Sequence, residues 1–178
     1  MKIRQGFVSN SSSSSFVVIK NTGKFHNIIE NELYCKSGIL VVDGSLGNLE
    51  FGWRNIIYDG FWDKLHFAYI QACYLNSDRM NYDCYNKKPP FDQPSDSGLK
   101  MLEEVLKEEL GVREIEWKIQ VEDWDNDFGP FGYIDHQSTI YEGRNWEIFE
   151  SKESLKSFLF DDESYIQGGN DNDPYDLE

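Results

Sequence analysis

Apolar positions along this chain change period several times, and each change marks an element. Ile115, Trp117, Ile119 and Val121 alternate with Glu114, Glu116, Lys118 and Gln120. A period of two puts each set on its own face of a strand, so this segment reads as a half-buried strand of an antiparallel sheet. Leu99, Leu102, Val105, Leu106 and Leu110 recur instead at three and four. That spacing predicts a helix from Ser95 or Ser97 to a stop at Gly111, with Glu103, Glu104, Lys107, Glu108 and Glu109 facing water. A second stripe, Phe61 or Trp62, Leu65, Tyr69, Ala72 and Cys73, predicts an amphipathic helix over 61–76, capped by Asp59. His66 falls beside that stripe and reads as a satisfied buried or boundary histidine, since no metal-ligand spacing accompanies it.

Shorter runs fill in the rest. Phe16 to Ile19 and Ile39 to Val42 are compact apolar runs rich in β-branched residues, which suits buried strands. Leu49, Phe51 and Trp53 alternate with Glu50, Gly52 and Arg54, and Asp43-Gly44 is a turn signal, so 39–54 reads as a hairpin with a long loop. Phe25, Ile28, Ile29 and Leu33 fit a short helix. Residues 77–97 carry Pro89, Pro90 and Pro94 and read as an irregular loop, whose Tyr82, Tyr85 and Phe91 beside Lys87 and Lys88 could stack a base or grip a peptide but are expected to pack on the body. Trp146 to Phe149 reads as a last strand, and Ser151 caps a helix containing Leu155, Phe158 and Leu159. The expected fold is α+β: an antiparallel or mixed sheet of about six strands with two main helices packed on it. The 178 residues form one domain, with an acidic, flexible tail from about residue 167.

Composition narrows the class. A chain of this length buries roughly 70% of its unfolded surface and needs no metal or disulfide to fold. Twelve Phe, ten Tyr and five Trp supply a large apolar core. No apolar run approaches the length of a membrane span, and Phe7-Val8 is followed at once by hydroxyls, so no secretion signal is expected. Cys35, Cys73 and Cys84 lack metal or redox spacing and fit a reducing cytoplasm. The net charge is −15. The only charged residues in 1–30 are Lys2, Arg4, Lys20, Lys24 and Glu30, whereas 161–178 hold seven acids and no base. A surface this negative repels nucleic acid and anionic membranes, and favours basic protein partners or cations.

Candidate chemistry sits in four places. Asn10 and Ser11, Ser12, Ser13 and Ser14 form a polar run between apolar anchors, and a loop tied at both ends can present N–H and O–H groups to a phosphate or other anion. Asp123, Asp125 and Asp127 alternate as in a calcium loop, but Phe128 stands where glycine belongs and Ile134 where the closing Glu belongs. Asp135, His136 and Ser138 bring an acid, an imidazole and a hydroxyl close in sequence. On a strand His136 and Ser138 share a face while Asp135 points away, and a hydrogen-bonded loop histidine is the plainer reading. Asp171 and Asp173, with Asn170 and Asn172, offer oxygens suited to a divalent cation.

The opening Met1-Lys2-Ile3-Arg4-Gln5-Gly6-Phe7-Val8-Ser9-Asn10, with Ser11 to Ser15 and Phe16, resembles the start of a loose set of uncharacterised bacterial and bacteriophage proteins. These begin with a basic residue or two and a GFVSNSSSSSF-like segment. The likeness spans residues 1–16 and implies a bacterial or phage origin; it carries no activity and no site residue. Two functional expectations follow. One is an acidic cytoplasmic interaction protein that binds a basic protein partner without catalysis. The other is a metal-dependent or phosphate-acting enzyme that uses Asp135, His136 and the serine loop.

Overall fold

The computed structural model describes residues 2–3, 15–24, 35–36, 38–52, 55–75, 97–119, 132–134 and 146–169. Among the described residues nine short strands are β1 (Lys2–Ile3), β2 (Phe16–Ile19), β3 (Cys35–Lys36), β4 (Ile39–Asp43), β5 (Glu50–Phe51), β6 (Ile57–Tyr58), β7 (Glu114–Lys118), β8 (Tyr133–Ile134) and β9 (Tyr165–Gln167). The same residues include three helices, α1 (Phe61–Leu75), α2 (Ser97–Leu110) and α3 (Lys152–Phe160). The fold is α+β, but its strands form three sheets, β1-β2-β9-β6, β3-β4-β7 and β5-β8, rather than one sheet of six.

The helix α1 lies at the centre. It packs on both α2 and α3, and α2 and α3 in turn pack on β7 and β2. Every residue from Lys64 to Ala72 is buried, so α1 is enclosed around its whole circumference and not on one stripe. The amphipathic expectation fails here because the polar residues Lys64 and Gln71, off the apolar stripe, are as fully covered as the stripe itself, and His66 is buried beside it. The helix starts at Phe61 as expected, but Lys64 N donates to Gly60 O, which puts Gly60 and not Asp59 at the cap position. By contrast α2 keeps its expected stripe: Leu99, Leu102, Val105 and Leu106 are buried, and Gly111 ends it at φ 65°. The cap of α3 is also as expected, with Ser151 Oγ accepting from Ser154 N at 3.0 Å.

Two pairings depart from expectation. The half-buried alternation of β7 is real, with Ile115 buried between exposed Glu114 and Glu116. However, β7 pairs in parallel with β4, from Ile39↔Glu114 to Asp43↔Lys118, and not in an antiparallel sheet. Parallel partners need a long crossover, and α1 and α2 lie between these two strands in the chain. Among the described residues of 39–54, β4 and β5 belong to different sheets and do not pair as the expected hairpin. Asp43 caps a 3-10 turn at Gly44–Leu46, accepting from Ser45 N at 2.9 Å, and this turn sends the chain away from β4 toward α1. Residues Trp146–Phe149 likewise form a 3-10 turn and not a strand, packed on α3, which starts three residues later.

The termini are joined through β9. It lies between β2 and β6, with Val17↔Ile166 and Tyr58↔Ile166 as antiparallel partners. Gly168 N donates to Ile56 O, and Ser15 Oγ both donates to Gly169 O and accepts from Gly169 N. The chain is therefore held through Gly169, past the start expected for the tail. The short helix expected over 25–33, the loop 77–96 and residues 170–178 lie outside the described residues.

Candidate functional site

Two built features stand out around α1, one on each side of its first turns. The first is a cleft between the chain at 44–50 and β6. Asp63 and His66 are one turn apart on α1 and hold the backbone of Asn48 from below. Asp63 Oδ1 accepts from Asn48 N at 2.6 Å, and His66 Nδ1 lies 3.2 Å from Asn48 O. Gly47 permits this approach: a Cβ there would lie 2.8 Å from the Trp62 carbonyl carbon. Asn48 Nδ2 donates to the Glu50 carbonyl, and Tyr58 Oη lies 3.5 Å from the same oxygen. The Tyr58 ring meets Phe51 edge-on at 5.0 Å between centroids. The resulting cleft has a volume of about 370 Å³ and is lined by Gly44, Gly47, Asn48, Leu49, Glu50, Ile56 and Tyr58.

A carbonyl only accepts, so the contact with Asn48 assigns the His66 proton to Nδ1. Nε2 is then a buried acceptor without a hydrogen-bond partner among the described residues. Burial pushes the imidazole below the ordinary histidine value, against the opposing pull of the Asn48 carbonyl and the Asp63 charge. At neutral pH His66 is uncharged and serves to hold the cleft floor.

The second feature is a buried polar knot. Lys64 Nζ donates to the carbonyls of Asp161 and Ser164, at 3.0 and 3.1 Å, just beyond the C-terminal end of α3. Burial lowers the ammonium to about 8, although Asp162, Asp59 and Asp161 oppose that shift. The Asp161 side chain accepts from Thr22 N at 2.6 Å, from Thr22 Oγ1 and from Glu163 N. Burial works against its charge, but hydrogen bonds from Glu163, Thr22 and Gly23 outweigh it and hold the carboxyl below its ordinary value. Ser164 Oγ donates to Ser157 O and accepts from Lys20 N. The knot thus ties α1, the end of α3 and the turn after β2 together, and its amine is enclosed by the carbonyls that it satisfies.

The structure describes none of the residues that the sequence singles out for chemistry. Asn10, Ser11, Ser12, Ser13, Ser14, Asp123, Asp125, Asp127, Asp135, His136, Ser138, Asp171 and Asp173 lie outside the described residues. Their framing is visible in part. The serine run lies in the sequence between β1 and β2, which pair as Lys2↔Ile19 and Ile3↔Val18. Its last member, Ser15, is buried against Gly169. The chain reaches Asp135 from β8, whose Ile134 is buried and pairs with Phe51. Among the described residues no three His, Cys, Asp or Glu side chains gather as a metal site, and no helix is long and apolar enough to cross a membrane.

Sequence reasoning passed over Ile56, Ile57, Asn48, Asp63 and Lys64. The signal for the first two was present: Ile56-Ile57-Tyr58 is an apolar run bounded by Asn55 and by Asp59-Gly60. Comparison with protein-family models, curated proteins and solved structures gives no match to this chain.

Proposed function

We propose that this protein is an acidic interaction module that binds a basic protein partner without catalysis, in a bacterial cytoplasm. The observation that carries the reading is the sign of its surface. Among the described residues the exposed acids are Glu50, Asp59, Glu104, Glu108, Glu114, Glu116, Glu150, Glu153 and Asp162, against the exposed bases Lys24, Arg113 and Lys118. Two of those three bases are neutralised within the chain, Lys24 by Glu163 at 2.9 Å and Lys118 by Glu116 at 3.3 Å. Half-buried Lys152 and Lys156 are likewise held by Glu108 and Glu109. What remains is a field that attracts cations and steers basic surfaces, and that repels nucleic acid. The leader's resemblance to bacterial and phage proteins supports the setting.

The test is capture of partners from bacterial lysate at low and at moderate salt, followed by titration of the purified partner against this protein. A single basic protein that binds in stoichiometric amount and weakens steeply with salt is the expected result. Binding that ignores salt, or a captured partner that is itself acidic, would refute the electrostatic mode.

A further inference from the structure

We propose that the cleft between residues 44–50 and β6, together with the outer edge of β6, receives an extended basic segment of the partner as an added strand. The inference rests on the interaction reading and locates it. Three observations converge on this place.

The first is the backbone. In the four-stranded sheet β6 is the end strand, paired only with β9 among the described residues. Gly168 N donates to Ile56 O, so Ile56 and Gly168 form a hydrogen-bonded pair. Antiparallel partners alternate between bonded and non-bonded pairs, so the next pair, Ile57↔Gln167, is non-bonded. The N–H and C=O of Ile57 therefore point away from β9, toward the outer edge, where an incoming strand would pair.

The second is apolar exposure. Ile57 is 56% exposed and Ile56 38% exposed, and these are the exposed large aliphatic side chains among the described residues. Side chains alternate along a strand: Ile56 and Tyr58 line the cleft, and Ile57 stands on the opposite face. An added strand would set an apolar residue beside Ile57 and turn its neighbours toward the cleft.

The third is charge. The cleft walls offer Leu49, Ile56 and Tyr58, its rim carries exposed Glu50, and exposed Asp59 follows β6 directly. Apolar walls with an acidic rim match a lysine or arginine, whose stem packs on carbon while its head meets a carboxylate. The expected ligand is thus a strand that alternates basic with aliphatic residues.

The probe is a fluorescent peptide of about eight residues that alternates Lys and Val, a usual strand length, titrated at moderate salt and read by anisotropy. Glu50, Ile57 and Glu114 are all exposed, and circular dichroism checks that each variant folds. The expected result is one-to-one saturation, weakened roughly tenfold by Glu50→Lys and by Ile57→Asp, and less than about twofold by Glu114→Lys on β7. The Ile57 amide should gain protection from hydrogen exchange in the complex. Equal weakening by all three variants would overturn the site and leave the acidic-surface reading standing. So would a captured basic partner that binds wild type and Glu50→Lys alike. Dimerisation of the free protein that Ile57→Asp abolishes would assign the edge to a second copy and overturn the proposal. Failure of every basic peptide and protein to bind would overturn both readings.

Discussion

Lys64 and His66 are two positions apart on α1, both buried, and opposite in role. Lys64 remains a cation at neutral pH and donates to two carbonyls at the end of α3, so Lys64→Met takes this buried donor from the Ser164 carbonyl and leaves the Asp161 carbonyl with Ser164 N. The expected loss is about 3 kcal/mol, read from urea unfolding. His66 is neutral, and its folded value lies below the unfolded one because burial disfavours the imidazolium. The unfolded chain then binds the proton more readily, and stability falls as pH drops from above the ordinary histidine value through the lowered folded value. Urea midpoints at pH 7.5 and 5.5 should show that loss, and His66→Gln, which can still donate to Asn48 O, should flatten it. The carboxyls of Asp43 and Asp161 are held below their ordinary values and stay ionised throughout this window. A slope unchanged in His66→Gln would move the titration to another group.

At the scale of elements, the contrast lies between ends fixed locally and ends fixed by a neighbour. The start of α3 depends on one hydroxyl: Ser151→Ala removes the acceptor for Ser154 N and should cost about 1 kcal/mol. The loop at Gly47 depends on a helix that follows it in sequence. Gly47→Ala drives a methyl to 2.8 Å from the backbone of Trp62, where no side chain can swing away. Its expected cost is larger, about 2–3 kcal/mol, and it should open the Asn48 clamp at Asp63 and His66 as well. Thermal or urea unfolding of the two variants side by side checks the order. If Gly47→Ala proved the milder, the close approach to α1 would not be limiting. The cap was legible because Ser151 stands before Leu155, Phe158 and Leu159 at helical spacing. The clamp was not, because Asp63, His66 and Asn48 carry no spacing that joins them.

For the whole molecule, the acid excess opposes folding as well as guiding partners. At a net charge of −15 the compact chain repels itself, and added salt screens that repulsion. The Debye length falls from about 30 Å at 0.01 M to about 8 Å at 0.15 M. The thermal midpoint should therefore rise over that interval, although surface pairs such as Lys152 with Glu104 and Glu108 weaken. A fall in scanning calorimetry would mean that those attractive pairs outweigh the net repulsion.

The sequence alone determined the elements whose cause is local. Periodicity placed α1, α2 and β7, compact apolar runs placed β2 and β4, Ser151 and Gly111 marked two helix ends, the mix of these elements set the α+β class, and composition set the negative charge. These follow from rules that act within one or two turns of chain. Tertiary structure decided what depends on partners distant in sequence. It made β7 parallel to β4 through a helical crossover, split the strands into three sheets, and enclosed α1 so that Lys64 and His66 needed internal partners. It also set Tyr165–Gln167 between β2 and β6, a strand that sequence does not mark and that runs up to the expected start of the tail. The cleft beside β6 belongs to this second group, because its walls come from residues 44–50 and 56–58, and its floor is held from a helix beyond both. No local pattern encodes that meeting; it exists only once α1 has drawn the two segments together.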